Sequence, residues 1–159
     1  MKGTAVIIVD MQDFFLKNLD VHVRSTLIKN QIHAIDSFMK SGTPIILVEY
    51  KAGGVLRGPT TASLRSRLGA YPLATLIKES NSGFTKTGLE DLLKKARVRK
   101  IALMGINANA CIQDTAIGAL RRGYEVIVTK GLVANSYRKD LELSSRNERW
   151  FRNNCIWVE

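Results

Sequence analysis

Short apolar runs alternate along the chain with segments that repeat apolar residues at helical spacing. The runs occupy residues 4–9, 44–48, 101–104, 125–129 and 155–158. Each is too short for a helix and shows little polar alternation, which is typical of strands buried on both faces of a parallel sheet. The pattern therefore predicts five core strands.

Helical spacing fills the segments between these runs. Four apolar residues share one helical face between the first two strands, namely Ile28, Ile32, Ile35 and Met39. A second helix is predicted to begin at Thr87 in a capping-box pattern, and two more are predicted over 111–122 and 137–153. Strands that alternate with helices predict one α/β domain over residues 1–159, with three α-β-α layers and a mostly parallel sheet.

Composition supports a packed domain and excludes several classes of protein. The chain has 159 residues, of which 45% are hydrophobic and 24% charged, as in ordinary globular domains. The first apolar run is too short for a signal sequence or a membrane span, so we expect a cytoplasmic protein that does not interact with membranes. Its two cysteines, Cys111 and Cys155, lie far apart, and we expect both to be free thiols.

The net charge of +10 raises the question of an anionic partner. The basic residues are spread over the chain, and neither a zinc-finger spacing nor an aromatic RNA-binding pattern accompanies them. We therefore expect no nucleic-acid binding, although an acidic small-molecule substrate remains possible.

Three residues are candidates for chemistry. Ligands bind at the carboxyl ends of parallel strands, where Asp10 follows the first strand and Cys111 follows the third. A helix beginning at Cys111 would favour its thiolate, although a buried structural cysteine fits the position equally. Asp10 could act as a base or cap a turn, and Lys78 could enter a pocket or reach solvent.

The combination of these residues with their neighbours resembles the isochorismatase-like cysteine hydrolases, which include nicotinamidases and N-carbamoylsarcosine amidase. The matching pieces are Val9-Asp10-Met11-Gln12, Ile77-Lys78 ahead of Ser82-Gly83-Phe84 and Thr87-Gly88-Leu89, and residues 105–111 followed by Thr115-Ala116 and Gly123-Tyr124. They occur in the order typical of that family and cover nearly the whole chain. Three weak motifs at matching separations are together specific.

The resemblance implies roles for particular residues. Asp10, Lys78 and Cys111 take the positions of a catalytic triad. The backbone N–H groups of Asn107 and Cys111 take those of an oxyanion hole, with a cis peptide between Ile106 and Asn107. Substrate contacts are implied for the three residues Gln12, Phe84 and Asn109.

The chain also departs from part of the family. Metal-binding nicotinamidases carry an Asp-x-His pair and a further histidine after the second strand, where this chain has Glu49-Tyr50-Lys51-Ala52. The only histidines, His22 and His33, precede that strand. We therefore expect no metal and no cofactor. The glycine-containing loop 51–63 is expected to form a rim of the site.

The functional prediction is a cysteine hydrolase that cleaves a carbon–nitrogen, amide-like bond of a small molecule through a thioester. Two alternatives remain: an isochorismatase-type vinyl ether hydrolase, and a catalytically silent member that acts in binding or assembly. The resemblance further implies a homo-oligomer, a dimer or larger.

Overall fold

The computed structural model describes residues 2–159, which form seven strands and six α-helices. In chain order these are β1 Thr4–Val9, α1 Asp13–Leu16, α2 Val21–Lys40, β2 Ile45–Ala52, β3 Val55–Leu56, α3 Ala62–Leu68, β4 Ala74–Lys78, α4 Leu89–Lys95, β5 Lys100–Ile106, α5 Gln113–Arg121, β6 Glu125–Ala134, α6 Ser145–Asn154 and β7 Ile156–Val158. A π-helical segment, Ala108–Ile112, lies between β5 and α5.

The strands form one sheet in the order β3-β2-β1-β5-β6-β7, and β4 also pairs with β2. All pairs are parallel except the β2–β3 hairpin. Every residue of β1 is buried because strands and helices cover both of its sides and faces. The predicted mostly parallel sheet is confirmed.

Helices pack on both faces of this sheet, as alternation along β1 requires. Ala5, Ile7 and Val9 belong to one core with buried residues of α4, α5 and α6. Val6 and Ile8 belong to a second core with α2 and α3. The predicted three-layer α-β-α fold is therefore confirmed.

Two predicted helices begin elsewhere in the structure. Cys111 lies inside the π-helical segment, not at the first position of a regular helix, and α5 begins at Gln113. The predicted helix 137–153 is wrong in its first part: α6 begins at Ser145, where Ser144 accepts a hydrogen bond from the N–H of Asn147 at 3.2 Å. Serine is a preferred N-cap because its oxygen satisfies an otherwise unpaired N–H.

The predicted capping box at Thr87 is also wrong. Gly88 occupies the cap of α4 with a left-handed φ of 74°. The hydroxyl of Thr87 donates to the carbonyl of Gly83 at 2.5 Å, which closes the preceding turn, and it accepts from the N–H of Leu89 at 3.3 Å, but no reciprocal bond from Glu90 completes a capping box. The Glu90 carboxylate pairs with Lys94 and Arg122, not with the cap.

Candidate active site

Three elements bring Asp10, Lys78 and Cys111 into one buried cluster. Asp10 follows β1, Lys78 ends β4, and Cys111 lies in the π-helical segment after β5. The Nζ atom of Lys78 is 2.9 Å from Asp10 Oδ2 and 3.5 Å from Cys111 Sγ. Asp10 is 0%, Lys78 1% and Cys111 8% exposed, so the two charges are withdrawn from water together.

A close approach of two strands positions the cysteine-bearing segment beside Asp10. Gly105 of β5 pairs with Val9 of β1, and a Cβ at Gly105 would lie 2.0 Å from the Val9 carbonyl oxygen. Gly105 also has a φ of 131°. Only glycine fits both conditions, so this residue is a sequence signal for the geometry of the site.

The π-helical segment is organised around Asn107. Its carbonyl accepts hydrogen bonds from the N–H groups of Ala110 and Ile112, both at 3.1 Å. Its side-chain Oδ1 accepts from the N–H of Ser136 at 2.6 Å. The peptide between Ile106 and Asn107 is cis.

Two buried amides outside the sequence-predicted set support this segment. Asn135 Oδ1 accepts from the N–H of Asn109 at 2.8 Å, and Asn147 Nδ2 donates to the carbonyl of Ala108 at 3.2 Å. Both asparagines are less than 9% exposed. Asn135 follows β6 and Asn147 lies in α6, both far along the chain from the segment that they support. Sequence reasoning missed them because a single asparagine at such a distance belongs to no motif.

Burial sets the protonation of the triad. It raises the pKa of Asp10, with the Lys78 ammonium opposing the rise. Burial and the negative charge of Asp10 raise the pKa of the Cys111 thiol to about 12, again against Lys78. The regular helix start expected at Cys111 is not formed, and burial together with the Asp10 charge favours the thiol over the thiolate, because an extra anion in this dry cluster is costly.

The Asp10 carboxylate has an oxygen with no hydrogen-bond donor in the described part of the chain. Its Oδ1 is buried and accepts no hydrogen bond within residues 2–159. A buried carboxylate oxygen without a donor has unused capacity to accept a proton. Transfer of the thiol proton from Cys111 to Asp10 would leave the net charge of the three residues unchanged. Burial therefore opposes this transfer less than it opposes release of the proton to water.

The three predicted substrate-binding residues make other contacts. Gln12 is fully buried: its Oε1 accepts from the N–H of Tyr50 at 2.7 Å, and its Nε2 donates to the carbonyls of Tyr50 and Gly58 at 3.1 and 2.7 Å. Its amide therefore joins β2 to the following loop and is fully occupied by backbone.

The side chains of Phe84 and Asn109 likewise contact residues other than Asp10, Lys78 and Cys111. The Phe84 ring stacks on Tyr124 at 6.2 Å, and the Arg122 guanidinium lies over it at 4.7 Å. Asn109 is exposed and lines a separate cavity of about 530 Å³ between the π-helical segment and α6. Neither side chain contacts Asp10, Lys78 or Cys111 through a hydrogen bond that the structure shows.

The loop 51–63 is more ordered than its composition indicates. Its first residues complete the β2–β3 hairpin, and its last residues begin α3. The buried Glu49 carboxylate accepts from the backbone N–H and the hydroxyl of Thr60, at 2.5 and 2.9 Å. His22 and His33 lie exposed on α2.

Sequence reasoning also missed Tyr50 and Asn81. The ring centroid of Tyr50 is 4.8 Å from Lys78 Nζ, and Asn81 Oδ1 accepts from the Cys111 thiol at 3.9 Å. Asn81 is exposed and lies in the polar loop after β4, which gives no motif. Asn81 therefore lies on the side of the Cys111 sulfur that faces solvent.

Solved structures share this fold over the whole chain. N-carbamoylsarcosine amidase from Thermoplasma acidophilum matches with a TM-score of 0.84 and 23% identity, covering 100% of this chain and 96% of that one. The nicotinamidase from Staphylococcus aureus matches with a TM-score of 0.81 and 18% identity, covering 100% and 99%. At these identities the likeness shows a common α/β architecture.

The Isochorismatase domain family matches residues 4–149. The chain therefore belongs to the isochorismatase family. Among curated relatives, isochorismatase domain-containing protein 2 of Xenopus laevis is 30% identical over 127 residues, which cover 80% of this chain and 58% of that protein. Nicotinamidase 3 of Arabidopsis thaliana is 24% identical, covering 84% and 74%. The match spans 38%, 58% and 66% of the length of the relatives from Bacillus subtilis, Xenopus laevis and Danio rerio, so this chain corresponds to only part of each of them.

Within residues 2–159, no helix is both long enough and apolar enough to cross a membrane.

Proposed function

We propose that this protein hydrolyses a carbon–nitrogen, amide-like bond of a small molecule through a thioester on Cys111. The observation that carries this proposal is the Lys78 ammonium, which contacts both the Asp10 carboxylate and the Cys111 sulfur in a buried cluster. A base, a cation and a nucleophile within hydrogen-bond reach are the parts that acyl transfer requires.

The first half of the reaction forms the thioester. Asp10 accepts the thiol proton as Cys111 Sγ attacks the substrate carbonyl, and Lys78 stabilises the developing thiolate. The backbone N–H groups of Asn107 and Cys111 receive the tetrahedral oxyanion; one such donor is typically worth about 10²- to 10³-fold in rate. Asp10 then gives its proton to the leaving nitrogen, and the carbon–nitrogen bond breaks.

The second half returns the enzyme to its starting state. Asp10 accepts a proton from water, which attacks the thioester carbonyl, and the carbon–sulfur bond breaks. The acid leaves and Cys111 recovers its proton. The raised pKa of Asp10 suits it to both transfers, because a base with a pKa nearer neutrality also serves as an acid.

Relatives support the choice of bond. Two structural neighbours are by name an amidase and a nicotinamidase, and both names denote hydrolysis of carbon–nitrogen bonds. We further propose that the reaction needs no metal, because Glu49 is already bonded to Thr60 and the next residues are Tyr50 and Lys51. Metal analysis of the active protein that finds stoichiometric zinc or iron would contradict this part.

A substrate panel tests the proposal. Primary amides, carbamoyl compounds and isochorismate are incubated with the wild type and with Cys111→Ala, and the acyl-enzyme is trapped for intact-mass measurement. We expect turnover of an amide or carbamoyl compound with an adduct that Cys111→Ala lacks. Cleavage of isochorismate by both proteins would favour vinyl ether hydrolysis, and absence of any turnover or adduct would favour a catalytically silent member.

A further inference from the structure

We propose that Tyr50 is a positioning residue whose ring holds the Lys78 ammonium between Asp10 and Cys111. This inference deepens the proposed function and rests on it for its effect on turnover. It concerns an aromatic side chain of β2 to which the proposed mechanism gives no role.

The sheet places the two side chains together. Tyr50 of β2 and Lys78 of β4 are register partners in a parallel pair, so both project from the same face. Lys78 Nζ lies 4.8 Å from the Tyr50 ring centroid. The same nitrogen contacts Asp10 Oδ2 and the carbonyl of Ser80, both at 2.9 Å, and Cys111 Sγ at 3.5 Å. The ring is therefore one of the four neighbours of a buried cation.

Two further contacts hold Tyr50 in place. The fully buried amide of Gln12 accepts from the backbone N–H of Tyr50 at 2.7 Å and donates to its carbonyl at 3.1 Å. The Phe15 ring packs against the Tyr50 ring with centroids 5.7 Å apart. This arrangement also explains why a glutamine is fully buried two residues after Asp10.

The chemistry follows from the aromatic quadrupole. A ring face attracts a cation, and the attraction grows when the cation is withdrawn from water, as Lys78 is. The other charged or titratable groups around the ammonium are Asp10 and Cys111, with the exposed Lys51–Glu79 pair on the adjoining strand ends. Without the ring, the ammonium loses one stabilising neighbour and is held less firmly beside the Cys111 sulfur.

The test measures alkylation of Cys111 by iodoacetamide across pH, in a Cys155→Ser background, because it needs no substrate. The proteins compared have Tyr, Phe, Leu or a fluorinated phenylalanine at position 50. Increasing fluorination of the ring weakens its quadrupole while its size stays nearly constant. We expect Tyr50→Phe to retain the rate, since every contact used above comes from the ring or backbone. Tyr50→Leu should alkylate about 3- to 10-fold more slowly, and the rate should fall stepwise with fluorination.

Phe14→Leu is the matched control. The Phe14 ring also faces cations, Lys17 Nζ and Arg57 Cζ, both at 5.1 Å, but it is 39% exposed and does not contact Lys78. Its replacement should leave the alkylation profile unchanged.

Each outcome bears on the inference. A flat fluorination series, or Tyr50→Leu that melts normally and alkylates at the wild-type rate, would overturn it. If Tyr50→Leu fails to fold, the fluorinated series still decides, because its members conserve volume. A fluorination-dependent alkylation rate without turnover of any amide would retain the Tyr50 assignment and reject the proposed function.

Discussion

Burial raises the pKa of both cysteines of this protein, but their neighbours differ. Burial raises the pKa of Cys155 to about 12, and burial with the charge of Asp10 raises that of Cys111 to about 12. Cys155 lies half-buried between α6 and β7, and burial alone shifts its pKa. Cys111 has Lys78 Nζ at 3.5 Å and Asp10 beside that ammonium.

We therefore expect the reactivity of Cys111 to depend on its neighbours and not on a low thiol pKa. To form a thiolate, Cys155 must release its proton to solution, which leaves a new anion in an apolar setting. Cys111 can transfer its proton within the triad, next to a cation that is already present. If the more buried Cys111 reacts faster than Cys155, the excess rate reports the contribution of Asp10 and Lys78 to its reactivity.

The largest expected difference between the two cysteines is in the turnover that remains after each is replaced by alanine. Cys111→Ala is expected to lower turnover by at least about 10⁴-fold, because no other group can form the thioester. Cys155→Ala should retain turnover within about twofold, since Cys155 makes no contact with the triad. Steady-state rates with the substrate found in the panel measure both, and equal losses in the two variants would contradict the assignment of Cys111.

Asp10→Asn should make Cys111 resemble Cys155. It removes the proton acceptor, so we expect turnover to fall about 10²- to 10⁴-fold and iodoacetamide labelling of Cys111 to approach that of Cys155. It also leaves the Lys78 ammonium buried without its counter-charge, which costs about 3 to 5 kcal/mol of unfolding free energy. Denaturant unfolding and labelling rates measure the two effects.

The double variant Asp10→Asn, Lys78→Met separates the two effects of that substitution. Both charges are then absent, so much of the lost stability should return while turnover stays low. Recovery of turnover with stability would show that Asp10 acts through folding and not as a base.

Two of the three proposed catalytic residues could be selected from the strand pattern of the sequence. Asp10 and Cys111 both come after buried apolar runs, and parallel strands deliver their carboxyl ends to one edge. Lys78 required the family motif, because Thr75 interrupts the apolar residues before the lysine and the sequence pattern did not predict β4, whose residues alternate between half-buried and exposed. The π-helical segment was predicted as an ordinary helix start, since the side chains that shape it, those of Asn135 and Asn147, lie far along the chain.

The position of Gln12 illustrates what a motif leaves open. Its place two residues after Asp10 was assigned to substrate contact, but its amide is used by the backbone of Tyr50 and Gly58. Spacing in the sequence gives proximity to the site, whereas hydrogen-bond partners decide which groups remain free for a ligand.

The pH dependence of labelling should also differ between the two cysteines. Labelling of Cys155 should rise about tenfold per pH unit towards its pKa of about 12, because only the solution thiolate reacts. Labelling of Cys111 and turnover should rise only until Asp10 is ionised and then level off. Burial raises the pKa of Asp10 from its ordinary value, so activity should be lost as pH falls through that raised pKa.

Lys78→Met sharpens this pH experiment. The ammonium lowers the pKa of Asp10, so its removal should move the acid limb of the turnover profile to higher pH, by about one unit. An acid limb that stays in place would exclude Asp10 as the group that titrates. The Cys155 labelling profile should be unchanged in the same protein and serves as the internal control.

The smallest expected effect concerns the solvent side of Cys111. Asn81 Oδ1 is 3.9 Å from Sγ, and Cys155 has no side-chain hydrogen bond of this kind within residues 2–159. Asn81→Asp places a carboxylate at nearly constant shape beside the sulfur. We expect it to slow labelling of Cys111 by anionic iodoacetate about threefold more than labelling by neutral iodoacetamide, since exposure to water weakens the repulsion.

Asn81→Ala provides the uncharged comparison for this experiment. It removes the amide without adding charge, so the ratio of iodoacetate to iodoacetamide rates should stay near that of the wild type. The same ratio measured at Cys155 should be identical in all three proteins. If Asn81→Asp leaves the ratio at Cys111 unchanged, reagents reach the sulfur from another direction, and Asn81 does not border the path by which a substrate carbonyl approaches Cys111.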